Sequence, residues 1–147
     1  MLDSVDVVII GASWGKGKRK GYLSKVYGAV YNPTQDRFQF LTRVGSGFSE
    51  DDLEEFTEAL RPLKIGKKPK DVQCRDEPDV WVKPQIVIEI IGDELTVSNK
   101  ADAGSTLNNE EGYGLRFPVY QRTREEKGPF DVTTTQEIIQ LYKNQFN

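Results

Sequence analysis

Residues 37–44, RFQFLTRV, alternate with the period of two that a strand imposes on its side chains. Phe38, Phe40, Thr42 and Val44 fall on one side, and Arg37, Gln39, Leu41 and Arg43 on the other, which predicts a strand with one face in a core. The stretch before it, Tyr22–Tyr31, is rich in β-branched and aromatic residues. NPTQD at 32–36 supplies turn chemistry, so the two form a hairpin. Val5–Ile10 is a continuous apolar run, suited to a strand buried on both faces. Val80–Ile91 is the longest extended signal and sets Val82, Ile86, Ile88 and Ile90 on one face. Leu95–Ser98 follows a GDE turn, residues 99–113 read as loop, and Leu115–Arg124 is extended again with a break at Pro118. Two helices punctuate the strands. Ser49 with Asp52 approaches a capping box ahead of the stripe Leu53, Phe56, Leu60. Thr134 with Glu137 does the same ahead of Ile138, Leu141 and Tyr142. Residues 61–79, with prolines and glycines among charges, predict an excursion over the surface. Short strands, glycine turns, one interposed helix and one terminal helix suit a mainly β, small closed barrel, one domain over residues 1–147.

The first strand runs into GASWGKGKRKG, a glycine-rich turn loaded with cations. A Walker loop needs Gly-x4-Gly-Lys-Ser/Thr, yet Gly11 and Gly15 stand three residues apart and Lys16 is followed by Gly17. Gly11, Gly15 and Gly17 do not form G-x-G-x-x-G either, so the turn is neither phosphate fingerprint. The chain contains no histidine, which excludes from it a Ser-His-Asp triad, a Cys-His pair and a His-ligated zinc. Its single cysteine, Cys74, forms no internal disulfide and fits a reducing interior. No apolar run approaches the ~20 residues of a membrane helix, and no signal peptide is evident. An intracellular location is expected, in cytoplasm or nucleoid, or the nucleus of a eukaryote. The net charge is −3, but cations cluster at Lys16, Lys18, Arg19 and Lys20 and again at Lys64, Lys67, Lys68 and Lys70. Such faces can steer onto phosphate despite an acidic total.

Four segments in order, DVVIIGASWGKGKRKG, TRVGSGFSEDDLEE, PDVWVKPQIVIEI and LRFPVYQRTREEKGPFDVTT, resemble the C-terminal domain of ATP-dependent DNA ligases of the archaeal and eukaryotic type. The last is similar to nucleotidyltransferase motif VI. The resemblance implies a five-stranded OB-fold barrel with a short inserted helix and a C-terminal helix, a single domain excised from a larger ligase whose adenylation domain is absent. It implies that Arg122, Arg124 and Lys127 serve the adenylation of a lysine by ATP, as cations on the departing pyrophosphate. Strand alternation would set Arg116, Tyr120, Arg122 and Arg124 on one side. The K-x-D-G lysine that is adenylated in the family does not occur in this sequence, so the isolated chain is expected to be inactive. ATP and Mg²⁺ belong to the intact enzyme, and neither is expected on this fragment alone. The partners implied are nicked duplex DNA and the adenylation domain of the same enzyme; no membrane is involved, and the fragment is expected to be monomeric. Phe117, in the RFP run, would press into the minor groove beside the nick, with Arg116 as a sugar-phosphate contact. Lys16, Lys18, Arg19 and Lys20 would grip the DNA backbone at a hairpin tip. Two departures stand out: Val119 occupies the last position of the family's R-F-P-R, and Glu126 replaces the aspartate of R-x-D-K.

Plainer alternatives remain at each position. The Lys16–Lys20 turn and the Lys64–Lys70 loop can be solvated charge, and Phe117 can be core. Arg122, Arg124 and Lys127 can pair with Glu125 and Glu126. Trp14 and Trp81 read as packing residues and Cys74 as inert. A free-standing OB module stacking single strands on Tyr22, Tyr27 and Tyr31 is a second functional class. The equivalent domain of an RNA ligase or capping enzyme is a third.

Overall fold

The computed structural model describes residues 4–105 and 111–146. Among these residues ten strand segments and two α-helices follow in order, besides short 3-10 turns. The strands are β1 (Val5–Trp14), β2 (Leu23–Asn32), β3 (Arg37–Val44), β4 (Lys64–Ile65), β5 (Val72–Gln73), β6 (Val80–Val82), β7 (Val87–Ile91), β8 (Glu94–Ser98), β9 (Gly112–Arg116) and β10 (Val119–Thr123). Helix α1 (Glu50–Leu60) lies between β3 and β4, and α2 (Thr135–Asn144) ends the chain. The loop expected over 99–113 is shorter, because residues 112 and 113 already pair with β8 as the start of β9; residues 106–110 lie outside the described residues.

The main sheet runs β10-β7-β1-β2-β3-β5, with β4 paired to β6 and β6 to β1. It curls into a half-barrel whose open side, between β3 and the β9–β10 segment, is crossed by two bonds. The Tyr120 amide donates to the Ser46 carbonyl at 2.8 Å, and the Thr42 hydroxyl donates to the Leu115 carbonyl at 2.8 Å. The circular order β1-β2-β3-β10-β7 is that of a five-stranded OB-fold; the larger number of segments reflects strands broken by proline, as at Pro84 and Pro118.

β1 is buried on both faces, as its unbroken apolar run predicts. Val5, Val7 and Ile9 join the main core with Val26, Val30, Leu41, Ile88 and Ile90, while Val8 and Ile10 join a second cluster with Tyr27, Phe38, Phe40, Val72 and Cys74. The predicted one-faced burial of β3 does not hold. Gly28 faces Thr42 and Ala29 faces Phe40, so a bulge leaves Leu41 unpaired and shifts the side-chain parity. Phe38 and Phe40 enter one cluster, Leu41 and Val44 the other. Val82, Ile86, Ile88 and Ile90 share the main core although Pro84 splits their strand in two. Residues 61–79 do more than cross the surface, because β5 pairs in parallel with β3 and brings Val72 and Cys74 onto the second cluster.

Both helices begin with complete capping boxes. The Asp52 amide donates to Ser49 Oγ at 3.1 Å while Asp52 accepts from the Ser49 amide at 2.9 Å; Glu137 and Thr134 form the same exchange. Leu53, Phe56 and Leu60 cap the main core, each burial worth about 1.5–3 kcal/mol. The Leu23 amide donates to the buried Thr57 hydroxyl at 2.9 Å, fixing α1 to the start of β2. Among the described residues no helix is long and apolar enough to cross a membrane.

Two predictions test this packing. Gly47 has φ +94°, and a Cβ there would stand 2.5 Å from the Tyr120 carbonyl oxygen at the bridge that closes the barrel. Gly47→Ala is expected to lower unfolding stability by about 2–4 kcal/mol in urea titration. A loss below about 0.5 kcal/mol would mean that this crossing is not needed. Cys74 donates to the Asp76 carbonyl, and burial, aided by Asp102, pushes its thiol up to about 12. At pH 8 a thiol reagent should label the native domain roughly 10³-fold more slowly than the urea-unfolded chain; equal rates would contradict the burial.

Candidate functional site

The turn between β1 and β2 is a short 3-10 helix over Gly17–Arg19. Lys16, Lys18 and Lys20 are exposed there and make no ion pair among the described residues. Arg19 differs: its guanidinium donates to the Gly45 carbonyl at 2.8 Å and ties the tip to the end of β3. The adjoining residue, Ser46, accepts from Tyr120, three positions after Phe117. The basic tip and β10 are therefore both tied to the Gly45–Ser46 segment, each by one hydrogen bond.

Phe117 sits between β9 and β10 with φ +54°, a left-handed conformation that a bulky side chain rarely adopts. It is 63% exposed, so it is not a core residue. The Arg116 guanidinium lies 5.0 Å from the ring centroid and pairs with Glu94 at 2.9 Å. Backbone strain retained under an exposed aromatic gives nothing to packing, which makes it a candidate contact for a partner.

The expected single cationic face of Arg116, Tyr120, Arg122 and Arg124 is not formed. Phe117 turns the chain after Arg116, and a bulge leaves Gln121 without a partner, since Tyr120 faces Ile90 and Arg122 faces Glu89. Tyr120 consequently points into the main core, stacked on Phe48 at 4.8 Å, while Arg122 points outward. Beyond β10 a turn closed by the Lys127 amide on the Arg124 carbonyl returns Lys127 beside Arg124.

These cations meet two carboxylates from distant strands. Arg122 Nη2 is 3.2 Å from Glu89 Oε1, and Arg124 Nη1 is 3.0 Å from the same oxygen. Arg124 also reaches Asp6 Oδ1 at 3.4 Å, and Lys127 Nζ is 2.6 Å from Asp6 Oδ2. The result is one alternating series, Arg122–Glu89–Arg124–Asp6–Lys127. Arg124 donates in addition to Glu126, whose carboxyl that hydrogen bond holds below the usual carboxylate range. Glu126 is thus a partner as the plainer reading has it, whereas Asp6 and Glu89 escaped it. Their sequence signal is a lone acid in each of two apolar runs, VDVVII and IVIEII. Arg124 and Lys127 also line a concavity of about 510 Å³ with Phe56, Ile86, Tyr120 and Pro129.

Tyr27 is buried against Phe40, and Tyr31 bonds Asp36 and packs on Phe38 and Phe130, so neither is a free stacking platform. Trp14 is 42% exposed and carries Lys64 Nζ over its ring at 4.9 Å, so it is less of a packing residue than expected. Lys67, Lys68 and Lys70 are exposed. Among the described residues no cluster of three or more His, Cys, Asp or Glu could hold a metal ion.

Comparison with known proteins bears on the same residues. The family model described as "ATP dependent DNA ligase C terminal region" matches residues 19–127, from the tip arginine to the last of the paired cations. The chain is 44% identical over 146 residues to a DNA ligase of Hyperthermus butylicus and 42% identical over 146 residues to one of Aeropyrum pernix. In both cases 99% of this chain aligns with 24% of the relative, so the chain spans about a quarter of the length of the relatives it matches. Among solved structures, the ligase domain of M. tuberculosis LigD aligns with a TM-score of 0.67 at 27% identity, covering 89% of this chain and 38% of that one. A mycobacterial DNA ligase D complexed with ATP and MES aligns with a TM-score of 0.61 at 26% identity, covering 90% and 38%. A mainly β half-barrel with this circular strand order, matched over most of its length, belongs to the C-terminal region family of ATP-dependent DNA ligases.

Proposed function

We propose that this domain acts twice in a ligase reaction. In the first step it brings Arg122, Arg124 and Lys127 to the nucleotide while a lysine of the adenylation domain attacks the α-phosphorus of ATP and pyrophosphate leaves. In the sealing of a nicked duplex it lies on the minor groove, with Phe117 at the break and Lys16, Lys18, Lys20 and Arg116 against the backbone; Arg19 braces that tip. Cations near the departing oxygens offset the charge that develops there. The fit to a polyphosphate is supported by Arg124 and Lys127 on the wall of one concavity. Mg²⁺ finds no acidic cluster among the described residues and would be held through the nucleotide's phosphates.

The observation that carries the reading is Phe117, an exposed aromatic ring on a left-handed backbone with a guanidinium over its face. A rigid apolar wedge of this kind suits a duplex that must open a base step. The alkyl and charged groups of the neighbouring rim suit sequence-independent phosphate contact. Nicked duplex is favoured over single strands because Tyr27 and Tyr31 are engaged within the fold and Tyr22 packs against the main core.

In the full-length ligase, Phe117→Ala is expected to slow sealing of an adenylated nick about 10-fold or more while lysine adenylation and melting temperature stay unchanged. An unaltered single-turnover sealing rate would remove the wedge. Arg124→Ala should lower lysine adenylation by about 10²–10³-fold with nick affinity changed little. Equal small effects on both steps would reject the assigned role. Each of Lys16→Ala, Lys18→Ala and Lys20→Ala should reduce the salt slope of nick binding by about 1, and an unchanged slope in all three would take the tip away from DNA.

A further inference from the structure

We infer that Asp6 and Glu89 are positioning residues for the adenylation step: their carboxylates hold Arg122, Arg124 and Lys127 in fixed places before any nucleotide arrives. The inference rests on the reading of Arg124 and Lys127 given above, and it concerns residues that lie outside the motif VI segment.

Asp6 on β1 and Glu89 on β7 are direct partners across neighbouring strands. Two like charges in that relation repel, and both are largely withdrawn from water, at 13% and 18% side-chain exposure. One bridging cation would leave the pair at a net −1. Instead each carboxylate is shared: Glu89 Oε1 between Arg122 and Arg124, and Asp6 between Arg124 on Oδ1 and Lys127 on Oδ2. Arg124 is itself 19% exposed and bonded on both sides, with its third contact to Glu126. The five groups of the series carry a net +1, and Glu126 brings the set to neutrality, so the cations are oriented without presenting a strong field in the resting domain.

The backbone supports the same role. Asp6 is held by its amide, which donates to the Thr133 hydroxyl at 2.9 Å, and by its carbonyl, which accepts from the Thr133 amide at 3.0 Å. Glu89 is fixed in the ladder between β1 and β10. The anchors are therefore on rigid strands while the cations are on a bulged strand end and a turn. Long basic side chains lose much rotamer freedom when fixed. Fixing them in advance removes that loss from the moment at which pyrophosphate must be stabilised. When a polyphosphate enters, its oxygens replace carboxylate oxygens at cations that already point to the site.

The test uses the full-length ligase with Asp6→Asn and Glu89→Gln, both isosteric, and Arg124→Ala as reference. Transfer of AMP from α-labelled ATP to the enzyme is followed in single turnover over a range of ATP concentrations. Either isosteric variant should lower the maximal rate about 10-fold or more, with half-saturating ATP unchanged within about 2-fold because no cation is lost. Arg124→Ala should lower the rate and raise half-saturation together. Asp6→Glu should recover part of the rate lost in Asp6→Asn, which a purely structural role would not produce at a temperature where all variants are folded. If Glu89→Gln fails to fold, Asp6→Asn decides alone, since its backbone bonds to Thr133 are retained. Normal adenylation in the isosteric variants alongside an impaired Arg124→Ala overturns the positioning role and leaves the function of Arg124 standing. Normal adenylation in Arg124→Ala overturns both.

Discussion

β1 is covered on both faces, and the remaining elements are arranged to cover it. A strand with Val7 and Ile9 on one side and Val8 and Ile10 on the other needs two separate apolar layers. The curled sheet closes around the first with α1 and α2 as plugs. The second is assembled from Phe38 and Phe40 of β3, from the excursion that delivers Val72 and Cys74, and from Val132 ahead of α2. Asp6 is the one charge in this doubly covered stretch of β1, and it is from there that the charged series extends along β7 to β10. The same strand thus organises the interior and anchors the charged site.

Periodicity located most elements because each depends on neighbours in sequence. The capping boxes at Ser49 and Thr134, the hairpin at 32–36 and the shared face of Val82, Ile86, Ile88 and Ile90 are local, and all are present. What could not be read locally arises at two bulges. Leu41 and Gln121 each stand opposite no partner residue, and each reverses the face of everything beyond it. Nothing in RFQFLTRV or VYQRT marks the extra residue, since a bulge is chosen by the twist that the whole sheet must adopt.

The site was legible to the same degree. The cations Arg122, Arg124 and Lys127 lie close together, and so do the tip lysines. Their partners were not legible, because Asp6 and Glu89 reach Arg124 over sequence separations of 118 and 35 residues through pairing of three strands. Arg19 shows the converse case. In the sequence it is one of four equivalent cations, and in the fold it is a brace, because only its side chain meets the Gly45 carbonyl. Phe117 is marked in the sequence by type and context, but its left-handed backbone is visible only in the fold.

The bulge at Gln121 ties two demands to a single count of residues. Tyr120 must face inward to stack on Phe48, and Arg122 must face outward to meet Glu89. In a regular strand, side chains two apart share a face, so both demands are met only because the residue between them is left out of the ladder. Substitution at Gln121 alters an exposed side chain and little else. Loss or gain of a residue there would exchange inside for outside along the rest of β10, burying a guanidinium or expelling an aromatic ring. Position 121 can therefore drift in identity, while the length of the segment is fixed.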